Sequence, residues 1–462
     1  MNASDRLALL WGVAFFGGSL GRWLSQLSSL PVVVWLLAIG LVIGQAGLGL
    51  IRPEALGQGL EPVVGLLVSL VLFDGGLNLR LAGRDLQRSV LQLVLIRAVL
   101  GLAGGAALAH LVAGLSWPLA LVFSAIALAT GPTVVTSLVR QMRLPPFLSQ
   151  VLEAEGLLLE PFSAVLALLL LQSAMGDVAS WQELAQRLVL RFGGGVAAGA
   201  LAGGLLAALL RRTPSDEASS GLELQLSLGV LFLLFSGCEA LLPQSGLPAA
   251  VSAGVVVGLR LKTGASQLDA LIRQLAQLAI TVLFPLLAAD LSWRELSPLG
   301  PGGLVAVGAL MLLRLMVVQL ASVGLPLNGR EKILLGWVAP RGIVSAAVAS
   351  LFALQLDEAG IDGGGALKGL VFLTILLTVG VQGSTAPWLA RRLGLTLPQE
   401  RAEPEDAGAN QTEAVLPEGE ASLKGMSVEA AAGVEGGDGV EEAVEAKVSG
   451  GDRLEDAATG TS

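Results

Sequence analysis

The stretch Glu153-Ala154-Glu155-Gly156-Leu157-Leu158-Leu159-Glu160-Pro161 places two carboxylates, Glu155 and Glu160, in a largely apolar part of the chain. A carboxylate at membrane depth costs several kcal/mol unless it is paired, hydrated or protonated. Five residues correspond to about 140° around a helix axis, so the two side chains point to different sides. We therefore expect one carboxylate to have a structural partner while the other faces a cavity.

The composition is that of a helical membrane protein. Of the 462 residues, 53% are hydrophobic and only 14% are charged, whereas about a quarter of a soluble domain is charged. Long apolar runs recur throughout, which predicts an all-α polytopic membrane protein. The single cysteine, Cys238, excludes an internal disulfide and a cysteine-based metal cluster. The single histidine, His110, is interpreted as a helix-end residue, since metal sites need several donors. We predict no cofactor, no nucleic-acid partner and no enzyme activity, because no catalytic pair or metal motif occurs at membrane depth.

Thirteen apolar segments are predicted to span the lipid bilayer. They cover residues 7–24, 32–50, 61–79, 90–113, 117–139, 149–172, 188–210, 222–242, 246–260, 272–290, 303–325, 330–353 and 367–389. With the N-terminus outside, the inner loops carry 15 Lys and Arg residues and the outer segments carry 5. This bias predicts an outside N-terminus and a cytoplasmic C-terminus. We expect the protein to lie in the cell inner membrane.

The two halves of the chain are predicted to be inverted repeats of six helices each, with the seventh helix as a connector. The fifth helix of each half contains a Gly/Pro interruption. The interruptions are Thr130-Gly131-Pro132-Thr133 and Ala339-Pro340-Arg341-Gly342. Paired broken helices in inverted halves indicate a transporter binding site near the midplane, where the two helices cross. The alternative is that both are ordinary kinks, which proline commonly produces.

The ionisable residues at membrane depth suggest different roles for the two glutamates. Arg341 requires a buried anion, and Glu155 is its predicted partner, which leaves Glu160 free to exchange a proton for a cation. Na⁺ prefers oxygen ligands, and Thr130, Thr133 and unwound backbone carbonyls could complete its shell. The alternative is that both glutamates form helix-packing salt bridges.

Three further acids have open roles. Asp74, in Phe73-Asp74-Gly75-Gly76-Leu77-Asn78-Leu79, could neutralise Arg97 or line an entry funnel, and we favour the structural role. Arg314 could pair with either Glu239 or Asp290.

The C-terminal residues 397–462 are a low-complexity acidic tail, with 16 acidic and 4 basic residues from Glu400 onward. Such a tail cannot bury enough apolar surface to fold alone, so residues 1–396 are the predicted transmembrane domain.

Several segments resemble the monovalent cation/proton antiporters, in their bacterial NhaP-like branch. They are Phe73–Leu79, Ala129–Val135, Glu155–Pro161, Gly336–Val344 and Val379–Gly383, and the similarity runs through residues 7–395. The resemblance implies that Glu160 is the ion- and proton-binding acid, that Glu155 is the structural partner of Arg341, and that a six-helix core moves against a dimerisation bundle. It also implies a homodimer.

The chain departs from the pattern of these antiporters at three positions. Gly131 stands where many relatives have Asp, Leu159 where many have Asn or Asp, and Glu160 where the acid is Asp. With one titratable carboxylate at the site, one proton is expected to exchange for one Na⁺ or K⁺ without net charge movement. Alternatives to antiport are a cation channel, a potassium-efflux system and a non-transporting sensor.

Overall fold

A computed structural model describes residues 3–28, 30–51, 60–79, 83–178, 180–212, 220–261 and 267–397. Within these ranges the chain is all-helical and contains no strand. The α-helices are α1 Ala3–Leu27, α2 Val32–Ile43, α3 Leu60–Asn78, α4 Arg84–Leu111, α5 Trp117–Leu128, α6 Pro132–Met142, α7 Pro146–Met175, α8 Trp181–Leu188, α9 Gly194–Leu210, α10 Ser220–Leu241, α11 Gly246–Leu261, α12 Gln267–Ala288, α13 Trp293–Leu296, α14 Gly300–Ala321, α15 Gly329–Trp337, α16 Ile343–Glu358, α17 Gly364–Leu377 and α18 Ser384–Arg392. The tail predicted at 397–462 lies, except for Leu397, outside the described residues.

The membrane character of the chain follows from the length of its apolar helices. Eight helices of the described ranges, some continuous and some interrupted, are long and apolar enough to cross a membrane. Three shorter apolar helices accompany them, at Val32–Ile43, Pro62–Asn78 and Gly246–Leu261. The prediction of an all-helical membrane protein is confirmed.

The helices form two packed groups. In the peripheral group, α12 packs on α1, α2 and α3, and α11 packs on α3 and α9. In the central group, α4 packs on α5 and α14, α5 packs on α7, and α16 packs on α17. Small residues allow the closest approaches in lipid. A Cβ at Gly203 of α9, for example, would lie 2.6 Å from the carbonyl oxygen of Ala253 on α11.

Two helices of the central group are interrupted. The chain is unwound at 129–131 between α5 and α6, and at 338–342 between α15 and α16. Pro132 stands at the start of α6 rather than in the unwound segment, because proline fixes a helical φ and its missing N–H is not needed in a first turn. Gly342 is the extended residue that precedes α16.

Candidate functional site

The two unwound segments contact each other through their backbones. The N–H of Gly131 donates to the carbonyl of Pro340 at 3.0 Å. A Cβ added at Gly342 would lie 2.6 Å from the Cα of Gly131, and one added at Gly131 would overlap Gly342. Real Cβ atoms do not approach other atoms this closely, so glycine is required on both sides. The crossing therefore has no room for a side chain at either position.

Glu160 lies beside this crossing. A Cβ added at Gly342 would be 2.6 Å from Oε1 of Glu160, and the Glu160 side chain is almost completely buried, at 3% exposure. Among the residues that the structure describes, no basic group and no hydrogen-bond donor contacts this carboxylate. A buried carboxylate without a counter-charge must be protonated or bind a cation.

Glu155 has the opposite surroundings, although it is on the same helix, α7. Its carboxylate forms an ion pair with Arg97 of α4 and a second with Arg314 of α14, where Nη2 is 3.3 Å from Oε2. All three side chains are buried. Glu155 is therefore a compensated charge that is held by two arginines.

These two arginines also bind the ends of the broken helices. Nη2 of Arg97 donates to the carbonyl of Leu128 at 3.1 Å, at the C-terminus of α5. Nη2 of Arg314 donates to the carbonyls of Leu335 and Val338 at 3.2 and 3.1 Å, at the C-terminus of α15. Helix C-termini have unsatisfied carbonyls and a partial negative charge, which cations stabilise. Glu155 thus joins the two broken helices through one arginine on each.

Arg341 is not the partner of Glu155, so this predicted ion pair was wrong. Its Nη1 donates to the carbonyl of Ala129 at 3.1 Å, in the other unwound segment, and its backbone N–H donates to the hydroxyl of Thr378 at 3.2 Å. The carbonyl of Ala129 is available because the helix is broken there, whereas the Glu155 oxygens already accept from two other arginines. Arg341 therefore stabilises the crossing, and its charge acts on Glu155 only at longer range than a direct ion pair.

The predicted threonine ligands lie on the first broken helix. The Thr130 hydroxyl is 3.5 Å from Nη1 of Arg97, on the Glu155 side of α7. The backbone carbonyl of Thr130 approaches α7 at Gly156, where an added Cβ would lie 3.3 Å away. Thr133 is partly buried in the first turn of α6.

Asp74 does not neutralise Arg97, which was the favoured expectation. Its carboxylate accepts from Nδ2 of Asn78 at 3.1 Å, and Asn78 accepts in turn from Nη2 of Arg273 at 2.9 Å. Asp74 is only partly buried at the end of α3. The entry-funnel role of Asp74 stays a prediction.

Asp290 and Glu239, the two expected partners of Arg314, contact other groups instead. Asp290 pairs with Lys368, with Oδ2 2.9 Å from Nζ. Glu239 accepts from the backbone N–H groups of Gln244 and Gly246 at 2.8 and 3.0 Å, at the start of α11.

The sequence did contain a signal for the contacts of Arg97, Arg314 and Arg341. Each broken helix leaves backbone carbonyls at membrane depth, and these carbonyls require a nearby cation.

Crossed broken helices with a buried, uncompensated carboxylate beside them define a secondary ion transporter. The family model described as "Sodium/hydrogen exchanger, transmembrane" matches residues 12–392. The chain belongs to the sodium/hydrogen exchanger family.

Proteins named as cation/proton antiporters are similar to this chain over most of its length. The Na(+)/H(+) antiporter NhaS2 of Synechocystis is 25% identical over 417 residues, which are 86% of this chain and 72% of that protein. The Na(+)/H(+) antiporter 1 of Methanocaldococcus jannaschii is 26% identical over 83% of this chain and 94% of its own length. The K(+)/H(+) antiporter NhaP2 of Shewanella is 26% identical over 81% and 65%, respectively.

The same architecture occurs in a solved structure, that of the sodium proton antiporter MjNhaP1 from Methanocaldococcus jannaschii at pH 8. The TM-score is 0.74 at 24% identity, and the match covers 85% of this chain and 99% of the other. At this identity the match shows a shared fold.

Proposed function

We propose that this protein exchanges a monovalent cation for a proton across the membrane, and that Glu160 binds the two in alternation. The observation that carries the proposal is the Glu160 carboxylate, which is buried beside the glycine crossing without a basic partner among the described residues. The names of the relatives include both Na⁺ and K⁺, and either cation is compatible with an oxygen site. The protein is a transporter and not an enzyme, and membership of a family of exchangers disfavours the channel and sensor alternatives.

Burial of Glu160 provides a physical reason for obligatory exchange. A bound proton or a bound cation neutralises the carboxylate, so either loaded form can be carried through a dry interior. The unloaded form would leave an isolated charge there, which costs several kcal/mol. Movement of the empty, charged site is therefore disfavoured, and uptake of one ion must follow release of the other.

The remaining oxygen ligands come from the unwound segment and from the first turn of α6 that follows it. Thr133 supplies its hydroxyl and Thr130 supplies its backbone carbonyl, because the Thr130 hydroxyl lies next to Arg97. Gly131 offers no carboxylate, and Glu155 is neutralised by its arginines. One titratable group then exchanges one proton for one cation, so the cycle is electroneutral. Currents in proteoliposomes that scale with membrane potential would contradict this stoichiometry.

The larger architecture is a proposal as well. Thirteen crossings in two inverted halves, with the N-terminus outside and the C-terminus in the cytoplasm, agree with the helices at the predicted spans and with the loop charges. Residues 1–396 form the antiporter domain, and residues 397–462 form an acidic extension. Two copies assemble into a homodimer in the cell inner membrane, with the peripheral helices as the static part.

The test compares the parent with Glu160→Gln in vesicles that contain a pH-sensitive dye. We expect addition of Na⁺ or K⁺ to produce a proton flux in the parent and none in the variant, which is nonetheless present in the membrane. Glu183→Gln is the control, because it neutralises a partly exposed glutamate of α8 that is paired with Arg187. Cation-dependent proton flux in Glu160→Gln would sink the assignment.

A further inference from the structure

A cavity separates the two helix groups on one side of Glu160. Its volume is about 860 Å³. One wall belongs to α3, α10, α11 and α12, and the other to α16 and α17; Phe235 and Leu287 represent the first wall, and Val344 and Ala347 the second. Val344 is two residues from Gly342, which touches Glu160. The cavity therefore extends toward the proposed ion site.

Four side chains connect the two walls, about 9 Å along α16 from Val344 at the level of Ser350; we name them the Lys368 clamp. Nζ of Lys368, on α17, is 2.9 Å from Oδ2 of Asp290 and 2.9 Å from Oε1 of Glu295. It also donates to the backbone carbonyl of Asp290 at 3.3 Å. The hydroxyl of Ser350, on α16, donates to Oδ2 of Asp290 at 2.6 Å.

The partners of Lys368 are anchored in different helix groups. Asp290 directly follows α12, and its neighbour Ala289 accepts from the backbone N–H of Gln45, after α2, at 3.0 Å. Glu295 belongs to α13, which lies so close to α17 that a Cβ at Gly369 would overlap its backbone. The Lys368 clamp thus connects the segment between α12 and α14 to α16 and α17 of the central group.

Burial makes the clamp strong. Lys368 and Asp290 are 9% and 7% exposed although both lie near helix ends. Breaking one partner of a buried ion pair leaves an uncompensated charge, which is costly, whereas exposed pairs contribute little. The walls cannot move apart at the level of the clamp unless the clamp releases.

We propose that Lys368 is a positioning residue of the exchange reaction, and that the Lys368 clamp holds the two cavity walls together until the ion site opens toward the cavity. The inference rests on the proposed function, since it requires that Glu160 be reached from both sides of the membrane in turn. Loss of the clamp shifts the population toward the form with separated walls.

The experiment measures how fast a cysteine in the cavity reacts with a membrane-impermeant thiol reagent, which is added to each side of the vesicles in turn. Ala347→Cys is introduced in a Cys238→Ala background, which removes the native thiol. We expect Lys368→Met to increase the labelling rate about tenfold from the cavity side, which corresponds to ~1.4 kcal/mol. The apparent KM for the cation should change on that side more than on the other.

Three further variants keep the test decisive. Lys368→Arg should label close to the parental rate, because it retains the charge. Ser350→Ala removes only the hydrogen bond between α16 and Asp290, so it should give a smaller increase, and it decides the matter if Lys368→Met does not reach the membrane. Arg187→Met breaks the partly exposed Glu183–Arg187 pair within α8, which does not line the cavity, and should change nothing.

An unchanged labelling rate in both Lys368→Met and Ser350→Ala would overturn the proposed role of the Lys368 clamp. That result would leave the role of Glu160 intact, because exchange by the parent and its loss in Glu160→Gln are measured separately. Conversely, persistent exchange in Glu160→Gln would remove the proposed function, while the labelling rates would still report whether Lys368 holds the walls together.

Discussion

Glu155 and Glu160 share their residue type, their helix and their burial, but their neighbours are different. Both are glutamates of α7, five residues apart, and they are 1% and 3% exposed. Arg97 and Arg314 neutralise Glu155 and connect it to the ends of two broken helices. Glu160 instead faces the glycine crossing, and no described basic residue contacts it.

This contrast shows that the position of a carboxylate on its own helix does not determine its role. The decisive groups are on other helices: two arginines on α4 and α14, and two glycines in the unwound segments. A charge that is already compensated can hold helices together, whereas an uncompensated one must acquire a proton or a cation. The same residue type therefore serves as a structural tie at one position and as an exchange site at the other.

The largest expected effect comes from neutralising each glutamate and measuring stability. Glu155→Gln leaves two buried arginines without a full counter-charge, and we expect a loss of about 3–5 kcal/mol. Glu160→Gln removes an uncompensated charge, so its unfolding temperature should equal or exceed that of the parent. Thermal unfolding of the detergent-solubilised proteins, followed by tryptophan fluorescence, measures both changes.

The double variant Glu155→Gln with Arg314→Met provides the control for this comparison. If the ion pairs carry the effect, the two substitutions will be non-additive, because the second removes a charge that the first has stranded. A Glu160→Gln variant that is as unstable as Glu155→Gln would mean that Glu160 also holds a structural partner.

The second effect concerns the crossing itself. Gly342→Ala places a methyl group 2.6 Å from both Gly131 and Glu160, so the backbone must shift, at a cost of about 1–3 kcal/mol. We expect exchange to fall sharply, because the shift displaces the carboxylate from its ligands. Gly308→Ala in α14 is the matched control, since an added Cβ there meets nothing within 4 Å. Equal exchange rates in the two variants would refute a close-packed crossing.

The sequence predicts the helices and their interruptions better than it predicts the charge pairs. Long apolar runs and the Gly/Pro pairs are local signals, and they place α5–α6 and α15–α16 correctly. The partner of Glu155 is not a local property, because Arg97, Arg314 and Arg341 are all buried arginines at similar depth. The choice among them depends on how α4 and α14 pack beside α7, which no spacing along the chain determines.

The third effect is a change in cation affinity. Glu160→Asp retains the charge but withdraws the oxygens by about one C–C bond, ~1.5 Å. Misplacement by about 1 Å can cost up to about 100-fold in a positioned site, so we expect exchange to persist with an apparent KM for the cation raised about tenfold or more. Concentration series with Na⁺ and K⁺ measure it. An unchanged KM for both cations would indicate that the carboxylate does not ligate the ion.

The smallest expected effect tests whether the Thr130 hydroxyl serves the ion pairs of Glu155 or the cation at Glu160. Its hydroxyl lies 3.5 Å from Arg97, on the Glu155 side, whereas its backbone carbonyl approaches α7 at Gly156. Thr130→Val removes the hydroxyl and retains the carbonyl and the shape of the side chain. We therefore expect a stability loss of about 0.5–1.5 kcal/mol, as for one hydrogen bond, and an unchanged KM for the cation.

Thr130→Ser is the control for this last test, since it retains the hydroxyl and loses only a methyl group. If Thr130→Val raised the KM for the cation while its unfolding temperature stayed at the parental value, the hydroxyl would serve the ion and not Arg97. Thr130 would then belong to the Glu160 site through its side chain.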